Sequence, residues 1–471
     1  MRTVDVVVIG GGISGLSVAW WLRQQGIDVI VLEKEQVCGG NMKTVRENGW
    51  LIERGPTSAL ETTPLFATMF DALGIMGERV YANQLARKRY IVRNGKLHTI
   101  PMSPGQFLAT DLLSLKGKLR LLKEPFVGKT ERDESVAEFI QRRLGSEFLD
   151  YAVDPFVAGV YAGTPENLSI RAAFPKLFSL EERHGGLVKG IIRERKERRA
   201  SQASPKGRAK LFTFKEGMAT FPAALARSLG ERVRTGCEIC DVGCEGGGYN
   251  VIFTRDGEQT TTTARVVVLS APAHAVARMI AGISPGVSER IDSISYPPVG
   301  EVFLGFRKDQ IRHRLDGFGF LVPAKENRKI LGTIWSSSLF EGRAPDGQVA
   351  LTAFVGGARQ PEILELDDDK LSKVVIEELR AILGIIGEPT FMSITRWKKA
   401  IPQYSVGYEK TLKSIEDFES QNPGAFICSN FRGGVAIGDC VVSSEKAAAR
   451  ILDHLNRTSE YAERRTVTSE P

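Results

Sequence analysis

The amino-acid sequence predicts an α/β protein with a discontinuous Rossmann-like domain, a second domain built on a mixed sheet, and a helical insert. Three observations predict this. A glycine-rich strand–turn–helix unit opens the chain, residues 103–200 show mostly helical periodicity, and strand patterns return at 233–272 and 298–360. A chain of 471 residues is also too long for one ordinary domain, so we expect two or three.

The opening unit predicts a dinucleotide site. Residues 5–9 (DVVVI) suit a buried parallel strand, and Gly10, Gly12 and Gly15 follow as G-x-G-x-x-G before a helical stretch. Gly10 permits the tight turn, Gly12 lets the backbone approach a pyrophosphate, and Gly15 lets the helix pack on the strand. Glu33 ends the second strand, at the spacing of an acid that accepts hydrogen bonds from ribose hydroxyls. The phosphates are expected at the helix N-terminus.

The charge balance gives little sign of nucleic-acid binding. The chain has 63 basic and 56 acidic residues, and its net charge is +7. Basic runs at 193–199 (RERKERR) and 206–210 (KGRAK) lack interleaved aromatic residues, so we interpret them as solvated segments. The mild excess leaves open an acidic substrate or an anionic membrane surface.

The cysteines and the absence of long apolar runs bear on location. The six cysteines form no paired framework, which favours a reducing compartment. The stretch 237–244 (CEICDVGC) alternates like a strand, so no metal site is predicted there. Only MRT precedes the first strand, and we see neither a signal or transit peptide nor a membrane-spanning run. We therefore expect a cytoplasmic protein, with a peripheral contact to the cytoplasmic membrane left open.

Further motifs resemble one family of flavoenzymes. Gly39 and Gly40 follow Glu33 by six residues, and a strand with a second tight turn comes at 49–60 (GWLIERGPTSAL). This layout resembles the FAD enzymes of the flavin amine oxidase superfamily. Four more stretches resemble the protoporphyrinogen oxidase family, from about residue 5 to 455: RYIVRNGKLHTIP (89–101), DPFVAGVYAGTPENLSIRAAFPKL (154–177), GFGFLVPAKE (317–326) and SNFRGGVAIGDCV (429–441).

The resemblance implies a domain plan like that of p-hydroxybenzoate hydroxylase. The FAD-binding domain would comprise 1–80, 211–292 and 395–456, and the substrate domain 81–100 and 293–394. Residues 101–210 would form a helical domain that is a candidate for membrane association. The last stretch, 457–471, has no periodic apolar face and is predicted to be a disordered tail.

The resemblance also implies the residues that contact FAD. Ile239 would pair its backbone with adenine, and Asn41 stands where several relatives carry a basic residue. The implied cofactor residues are Gly10, Gly11, Gly12, Ile13, Ser14, Gly15, Glu33, Lys34, Gly40, Asn41, Gly55, Pro56, Thr57, Ser58, Ile239, Trp397, Val435, Ala436 and Ile437.

For the substrate, the resemblance implies a carboxylate clamp and an apolar wall: Arg89, Gly159, Gly163, Leu321, Ile334 and Phe354. The planar fork of Arg89 would bind a propionate, or it would simply be a surface arginine on a hairpin. The Gly159 carbonyl would face pyrrole N–H groups; the alternative is a helix break without a ligand. The three apolar residues would sandwich a flat ring, and the alternative for each is ordinary core. Plant-type members have leucine where this chain has Ile334.

The implied reaction is the six-electron oxidation of protoporphyrinogen IX to protoporphyrin IX, a late step of haem and chlorophyll synthesis. FAD would receive three hydrides, O2 would be the final acceptor, and H2O2 would form. The five histidines are scattered and no catalytic acid or base stands out, which fits a reaction carried by the cofactor. A homodimer and channelling to a ferrochelatase are left open.

Three alternatives are kept. The first is a coproporphyrinogen III oxidase that forms coproporphyrin; the NFRGGVAIGDC stretch at 430–440 favours protoporphyrinogen, and an extra basic residue in the pocket would argue the other way. The second is a flavin amine oxidase or a carotenoid desaturase. The third is a binding protein without catalysis, like the guanine-nucleotide dissociation inhibitors that share the superfamily fold.

Overall fold

The computed structural model describes residues 2–200, 209–245 and 247–467. Residues 201–208 of the predicted helical segment and 468–471 of the predicted tail lie outside these ranges. Strands and helices are numbered along the chain.

The first large sheet joins segments from the start, the middle and the end of the chain. Its order is β10–β2–β1–β13–β12–β11, and the last strand, β19, also pairs with β13. The pairs β1–β2, β1–β13, β10–β2 and β13–β19 are parallel, and the hairpin strands β11, β12 and β13 are antiparallel. The strands are β1 (Arg2–Ile9), β2 (Val29–Leu32), β10 (Val233–Arg234), β11 (Glu238–Glu245), β12 (Gly248–Arg255), β13 (Glu258–Leu269) and β19 (Ala425–Ile427).

Apolar burial explains this sheet. The β-branched residues Val6, Val7 and Val8 of β1 are fully buried, as expected for a parallel strand covered on both faces. Helices α1 (Ile13–Gln24), α11 (Thr220–Leu229) and α17 (Ile437–Val467) pack together on one side. The predicted discontinuous α/β fold class is therefore confirmed.

The second large sheet is mixed. Its order is β18–β14–β17–β16–β15–β7–β8, and β15–β7 is its parallel pair. Asn94 and Gly95 form the turn between β7 and β8, and both have the positive φ that an Asn-Gly sequence favours. The strands are β7 (Lys88–Arg93), β8 (Lys96–Thr99), β14 (Val299–Arg307), β15 (Gly317–Leu321), β16 (Gly332–Ile334), β17 (Gln348–Gly356) and β18 (Phe391–Trp397).

One face of this second sheet is covered by helix α15 (Asp368–Leu383). The helix begins at an N-cap, Asp367, whose side chain accepts the Lys370 N–H at 2.8 Å. Leu371, Val375 and Leu379 of α15 are buried in one cluster with alternate residues of β14 and β17 and with Phe320 of β15. Because successive side chains of a strand point to opposite faces, the other set of residues on these strands faces away from α15.

The region from 101 to 200 is helical, as predicted. It is held together by a buried guanidinium, since Arg143 pairs with Glu124 at 3.0 Å and with Glu181, and all three side chains are buried. Its helices are α3 (Pro104–Ala109), α4 (Leu115–Leu121), α5 (Val136–Arg143), α6 (Ser146–Phe148), α7 (Asp154–Tyr161), α8 (Ile170–Ala173), α9 (Pro175–His184) and α10 (Leu187–Ala200).

Two small sheets and several short helices complete the described chain. The remaining strands are β3 (Lys43–Glu47), β4 (Trp50–Arg54), β5 (Ala59–Leu60), β6 (Arg79–Tyr81) and β9 (Leu211–Phe214). The remaining α-helices are α2 (Leu65–Ala72), α12 (Ala273–Ile280), α13 (Pro285–Asp292), α14 (Ser336–Leu339) and α16 (Tyr408–Gln421). None of the helices in the described ranges combines the length and the apolar character that crossing a bilayer requires.

The predicted disordered tail needs a correction. Helix α17 runs to Val467, so residues 457–467 are helical. Alanine, glutamate and arginine in this stretch are strong helix formers, and Arg457 pairs with Asp453 one turn earlier. Without an apolar face this stretch cannot pack on a core, but it can still continue helix α17. The remaining domain boundaries stay predictions; β18 crosses the one drawn between 394 and 395.

Candidate active site

The glycine-rich turn leaves backbone N–H groups free at the start of α1. The N-cap is Gly12, it has no side-chain cap, and the first turn holds no acidic residue. A Cβ on Gly15 would overlap the Gly10 carbonyl oxygen, so Gly15 is required for packing. A Cβ on Gly12 would meet only the Gly40 Cα, at 4.0 Å. The N–H groups and the adjoining space fit a pyrophosphate.

The second glycine pair lies directly on this turn. Gly39 donates its N–H to the Gly11 carbonyl at 2.8 Å, and Gly12 and Gly39 form an isolated parallel bridge. Gly40 has a φ of +58°, and a Cβ there would come within 3.3 Å of the Gly12 Cα. Side chains at these positions would close the space beside the helix N-terminus.

Glu33 fixes the same turn from the end of β2. Its Oε2 accepts the Gly11 N–H at 2.6 Å and its Oε1 accepts the Glu35 N–H at 2.8 Å. A carboxylate has further lone pairs, so hydroxyl groups can still donate to it. Lys34 instead points to the surface and pairs with Glu238 at 3.1 Å, which leaves only its backbone for a cofactor. Ile239 lies on β11 beside a β-bulge.

The segment Gly55–Ser58 approaches this region from β4. Gly55 has a φ of +130°, and a Cβ there would overlap the carbonyl oxygen of Asn41. The Gly55 N–H donates to Glu301 Oε2 at 3.0 Å, and Trp397 Nε1–H donates to Glu301 Oε1 at 3.1 Å. Pro56, Thr57 and Ser58 are half-buried.

The turn before α17 brings the last predicted cofactor residues. Gly434 donates its N–H to Tyr404 Oη at 3.1 Å, and burial raises the pKa of Tyr404 well above its usual value, so it stays a neutral phenol. Val435 is half-buried and Ala436 is exposed. Ile437 begins the helix and is buried.

Glu301, which joins Gly55 to Trp397, is not among the residues predicted from the sequence. Its signal was present, because an acid interrupts the apolar run VGEVFLGF at 299–306. All eight of these residues are buried along β14, and only Arg307 at its end is exposed. A charged group in a strand buried along its length calls for an explanation by bonding or function.

The apolar wall predicted for the substrate comes together on one sheet face. Leu321 pairs with Gly332, and Gly332 pairs with Phe354 on the next strand. Ile334 lies two residues beyond Gly332 and so on the same face. This is the face opposite α15, and the three apolar side chains are half-buried. Phe354 also packs in one cluster with Trp397, so the wall adjoins the predicted cofactor residues.

Helix α7 covers part of this face. A Cβ on Gly159 would stand 2.6 Å from Leu321 Cδ2, so the helix backbone contacts the wall closely. Within the described residues no N–H bonds to the Gly159 carbonyl, because the chain leaves the helix at Ala162, whose N–H goes to Ala158. That carbonyl is available to a donor, which supports the role implied by the resemblance.

Two apolar neighbours of Gly159 were not foreseen. Phe156 and Val160 are 45% and 41% exposed. They lie three residues before and one residue after Gly159, on one side of α7. Gly163, in contrast, is buried, and a Cβ there would overlap Gln403 Oε1. Close packing against Gln403 therefore explains why residue 163 is a glycine, without a bound ligand.

Arg89 lies on the same sheet with its guanidinium exposed. It stacks over the Phe318 ring at 5.4 Å, and Phe318 shares a cluster with Ile334. No carboxylate of the described residues pairs with it, whereas the neighbouring Lys88 pairs with Asp316 at 2.6 Å. An unpaired guanidinium supported by an aromatic ring is suited to bind an incoming carboxylate.

A large cavity lies on the side of α7 that carries Phe156. Its volume is about 1070 Å³. The aromatic side chains that line it are Phe156, Tyr161, Phe174, Tyr404 and Tyr408. The charged side chains that line it are Arg171, Lys176, Arg183, Glu194 and Asp439. Its volume and apolar walls suit a small-molecule ligand, but none of the residues predicted for the substrate lines it.

Comparison with known proteins agrees with this geometry. The chain matches the flavin-containing amine oxidoreductase family over residues 13–452. Protoporphyrinogen oxidase 2, chloroplastic/mitochondrial, of Arabidopsis thaliana is 32% identical, and the match covers 96% of this chain and 95% of the relative. Coproporphyrinogen III oxidase of Bacillus subtilis (strain 168) is 29% identical, with 96% and 98% covered.

Solved structures share the fold. A crystal structure from Exiguobacterium sp. 255-15, described provisionally as a protoporphyrinogen oxidase, has a TM-score of 0.80 at 24% identity and covers 97% of this chain and 99% of that one. A putrescine oxidase bound to putrescine has a TM-score of 0.69 at 16% identity, with 96% and 99% covered. At these identities the likeness concerns the fold alone.

The family match and the named relatives show an FAD-dependent oxidoreductase, and the glycine cradle agrees with it. The chain belongs to the flavin-containing amine oxidoreductase family, which it matches over nearly its whole length. The predicted cofactor, FAD, is thereby confirmed. The individual residues assigned to FAD and to the substrate stay predictions. Most of them lie either around the glycine-rich turn or on the sheet face opposite α15, and Phe354 packs with Trp397.

Proposed function

We propose that this enzyme is a porphyrinogen oxidase whose substrate is protoporphyrinogen IX, with O2 as the electron acceptor. The observation that carries the proposal is the apolar wall of Leu321, Ile334 and Phe354, which adjoins Trp397 and lies on the same sheet as the unpaired Arg89. A flat apolar macrocycle with propionates matches such a wall and guanidinium. The relatives that are named porphyrinogen oxidases support the same class of substrate.

The residues of the chain would bind and orient the substrate. Bound FAD supplies the hydride acceptor. Arg89 would hold a propionate by two parallel N–H bonds, which fixes the rotation of the ring in its plane. The Gly159 carbonyl would accept a hydrogen bond from a pyrrole N–H, and Leu321 and Phe354 would exclude water from the ring faces. Positioning a reacting carbon against the flavin is then the main contribution of the protein.

One observation favours coproporphyrinogen III as a second candidate. Arg171, Lys176 and Arg183 line the cavity beside α7. Arg171 is already close to Glu409, at 3.8 Å, while Lys176 faces Asp439, which also lines the cavity. Coproporphyrinogen carries four propionates rather than two, so additional cations near the site would suit it better.

A comparison of the two substrates tests the proposal. Porphyrin fluorescence is followed in air with each porphyrinogen, using wild type and Lys176→Ala. We expect a kcat/KM at least about tenfold higher for protoporphyrinogen IX, and a small effect of Lys176→Ala on that substrate. A preference for coproporphyrinogen that Lys176→Ala abolishes would establish the second candidate instead. No turnover of either would overturn the proposed function.

A peripheral membrane contact is part of the proposal. One face of α4, continued by the residue after it, carries Leu115, Leu119 and Leu122, and Phe126 comes next. Leu115 is 74% exposed and Phe126 is 89% exposed. Exposed Lys116 and Lys123 flank these side chains. An apolar face bordered by lysines is typical of a helix that lies on an anionic bilayer.

Phe126→Asp should reduce cosedimentation with vesicles of anionic lipid. Unchanged cosedimentation of the variant, or no cosedimentation of the wild-type protein, would contradict the contact.

A further inference from the structure

One buried carboxyl group connects the predicted FAD segments to the sheet that carries the substrate wall. Glu301 on β14 is 6% exposed. Its Oε2 accepts the Gly55 N–H at 3.0 Å and its Oε1 accepts Trp397 Nε1–H at 3.1 Å. Within the described residues no cation forms an ion pair with Glu301. Its partners are therefore two neutral N–H groups from segments far apart in the chain.

The strand register places Glu301 beside the substrate wall. Glu301 pairs with Phe354 on β17 and with Thr395 on β18. Directly paired residues have their side chains on the same face, about 5 Å apart at Cβ. The row that crosses the sheet is therefore Leu321, Gly332, Phe354, Glu301 and Thr395. Glu301 is the acidic member of this row.

We propose that Glu301 is a positioning residue, whose single carboxyl group holds the Gly55 turn and the Trp397 indole in place against the flavin. The proposal rests on the assignment of Gly55 and Trp397 to the FAD site. Gly55 has no side chain with which to anchor its turn, and a Cβ there would overlap the Asn41 carbonyl oxygen. The bond to Glu301 is therefore what fixes its amide. Without Glu301, the partly buried Trp397 N–H would also lose its partner.

The charge on Glu301 should influence this arrangement. The charged groups near it are Glu53 on β4, Arg343 packed against Glu53, and Lys43, whose Nζ is 5.9 Å from the Trp397 ring centroid. Burial raises the pKa of Glu301 to about 8, and the charge of Glu53 acts in the same direction. A carboxylate accepts freely on both oxygens, whereas the acid carries a proton that needs its own acceptor. The surroundings of the flavin should therefore change with pH near this value.

Glu301→Gln tests the proposal. The glutamine has the same shape but one acceptor oxygen, and its NH2 group faces an N–H donor. FAD is removed and titrated back to obtain Kd, and the absorbance of bound flavin is recorded against pH. We expect the Kd to rise at least about tenfold. A component of the flavin spectrum that titrates near pH 8 in wild type should be lost in the variant.

Glu378→Gln is the matched control. Glu378 on α15 lies on the other side of the sheet, where it accepts from Arg328 Nη1 and the Lys329 N–H, both at 2.8 Å. This variant should leave the FAD Kd and the pH dependence of the flavin spectrum unchanged. Neither readout uses a porphyrinogen, so a wrong substrate assignment would not affect them.

Trp397→Phe provides a second test. If Glu301 acts through the indole, Trp397→Phe should raise the FAD Kd less in the Glu301→Gln background than in wild type. If Glu301→Gln does not fold, Trp397→Phe alone should weaken FAD binding and raise the pH midpoint, because a bond that stabilises the carboxylate is lost. A folded Glu301→Gln in which either the Kd or the pH dependence is unchanged contradicts the proposal. A Trp397→Phe variant that changes neither the FAD Kd nor the pH midpoint also contradicts the proposal.

Discussion

The two large sheets build their halves of the site in different ways. The parallel sheet presents Gly10, Gly12, Gly15 and Glu33 within a stretch of chain that continues into the second glycine pair. The mixed sheet assembles its wall from three strands and a helix whose residues are distant in sequence, and strand register alone brings them together. The glycine turn and Glu33 therefore form a local unit within the cofactor half, while the substrate wall depends on long-range pairing.

The largest expected effect separates two roles within the local unit. Gly15→Ala should destabilise the apoprotein by about 2–4 kcal/mol, because its Cβ overlaps the Gly10 carbonyl oxygen. Gly12→Ala should leave the melting temperature of the apoprotein near that of wild type and still abolish FAD binding, since its Cβ enters the free space beside Gly40. Flavin content measures FAD binding, and thermal unfolding measures the stability of the apoprotein.

Gly282→Ala is the control for these variants, because a Cβ there meets no atom within 4 Å. It should keep both flavin content and stability. A Gly12→Ala protein that binds FAD normally would contradict the assignment of the phosphate site.

These variants concern features that sequence reading could predict. The spacing of Gly10, Gly12 and Gly15 depends on the chemistry of one turn, and the Asn94-Gly95 hairpin depends on two positive φ angles. Such local rules are visible in a single sequence. Glu301 was not predicted because its place beside the substrate wall depends on the pairing of β14 with β17 and β18, which no local sequence pattern encodes.

The second prediction concerns the carboxylate clamp. Arg89→Ala should weaken substrate binding by about 1.5–3 kcal/mol, which raises KM roughly 10–150-fold while the flavin spectrum stays unchanged. Steady-state kinetics with porphyrinogen measure the change. Lys88→Ala is the matched control, since Lys88 is paired with Asp316 and should leave KM unaffected. Equal effects of the two variants would show that Arg89 contributes only general surface charge.

The third prediction concerns the contact between α7 and the wall. Gly159→Ala places a methyl group 2.6 Å from Leu321 Cδ2, so either the leucine or the helix must move. We expect kcat/KM to fall about tenfold with FAD content unchanged. Gly159→Ala should cost less in a Leu321→Ala background than in wild type, because the clash is relieved. A Gly159→Ala loss of the same size in both backgrounds would indicate that the contact is not responsible.

The smallest effect is expected in the pH dependence of stability. Burial raises the pKa of Glu53 to about 7, so the folded state holds a proton that the unfolded state releases. The stability contributed by this proton is fully present below the unfolded pKa and is lost as pH rises through about 7. Glu53→Gln should therefore flatten the decline in unfolding free energy between about pH 5 and 7, by at most about 1.4 kcal/mol per pH unit.

Chemical denaturation at several pH values measures this slope. The histidines His274, His313 and His454 have lowered pKa values, chiefly because of burial, so their cost to stability at low pH disappears as pH rises, which is the opposite slope. Comparing the variant with wild type cancels their contribution. An unchanged slope would mean that Glu53 is ionised in the folded protein.

The most direct test of the central claim is anaerobic reduction of the purified flavoprotein. Protoporphyrinogen IX is added without O2 while the visible absorbance of the flavin is recorded, and O2 is then admitted. We expect the flavin to bleach on substrate addition, and O2 to restore its absorbance as porphyrin and peroxide appear. A flavin that stays oxidised with both protoporphyrinogen IX and coproporphyrinogen III would contradict the assignment of this enzyme as a porphyrinogen oxidase.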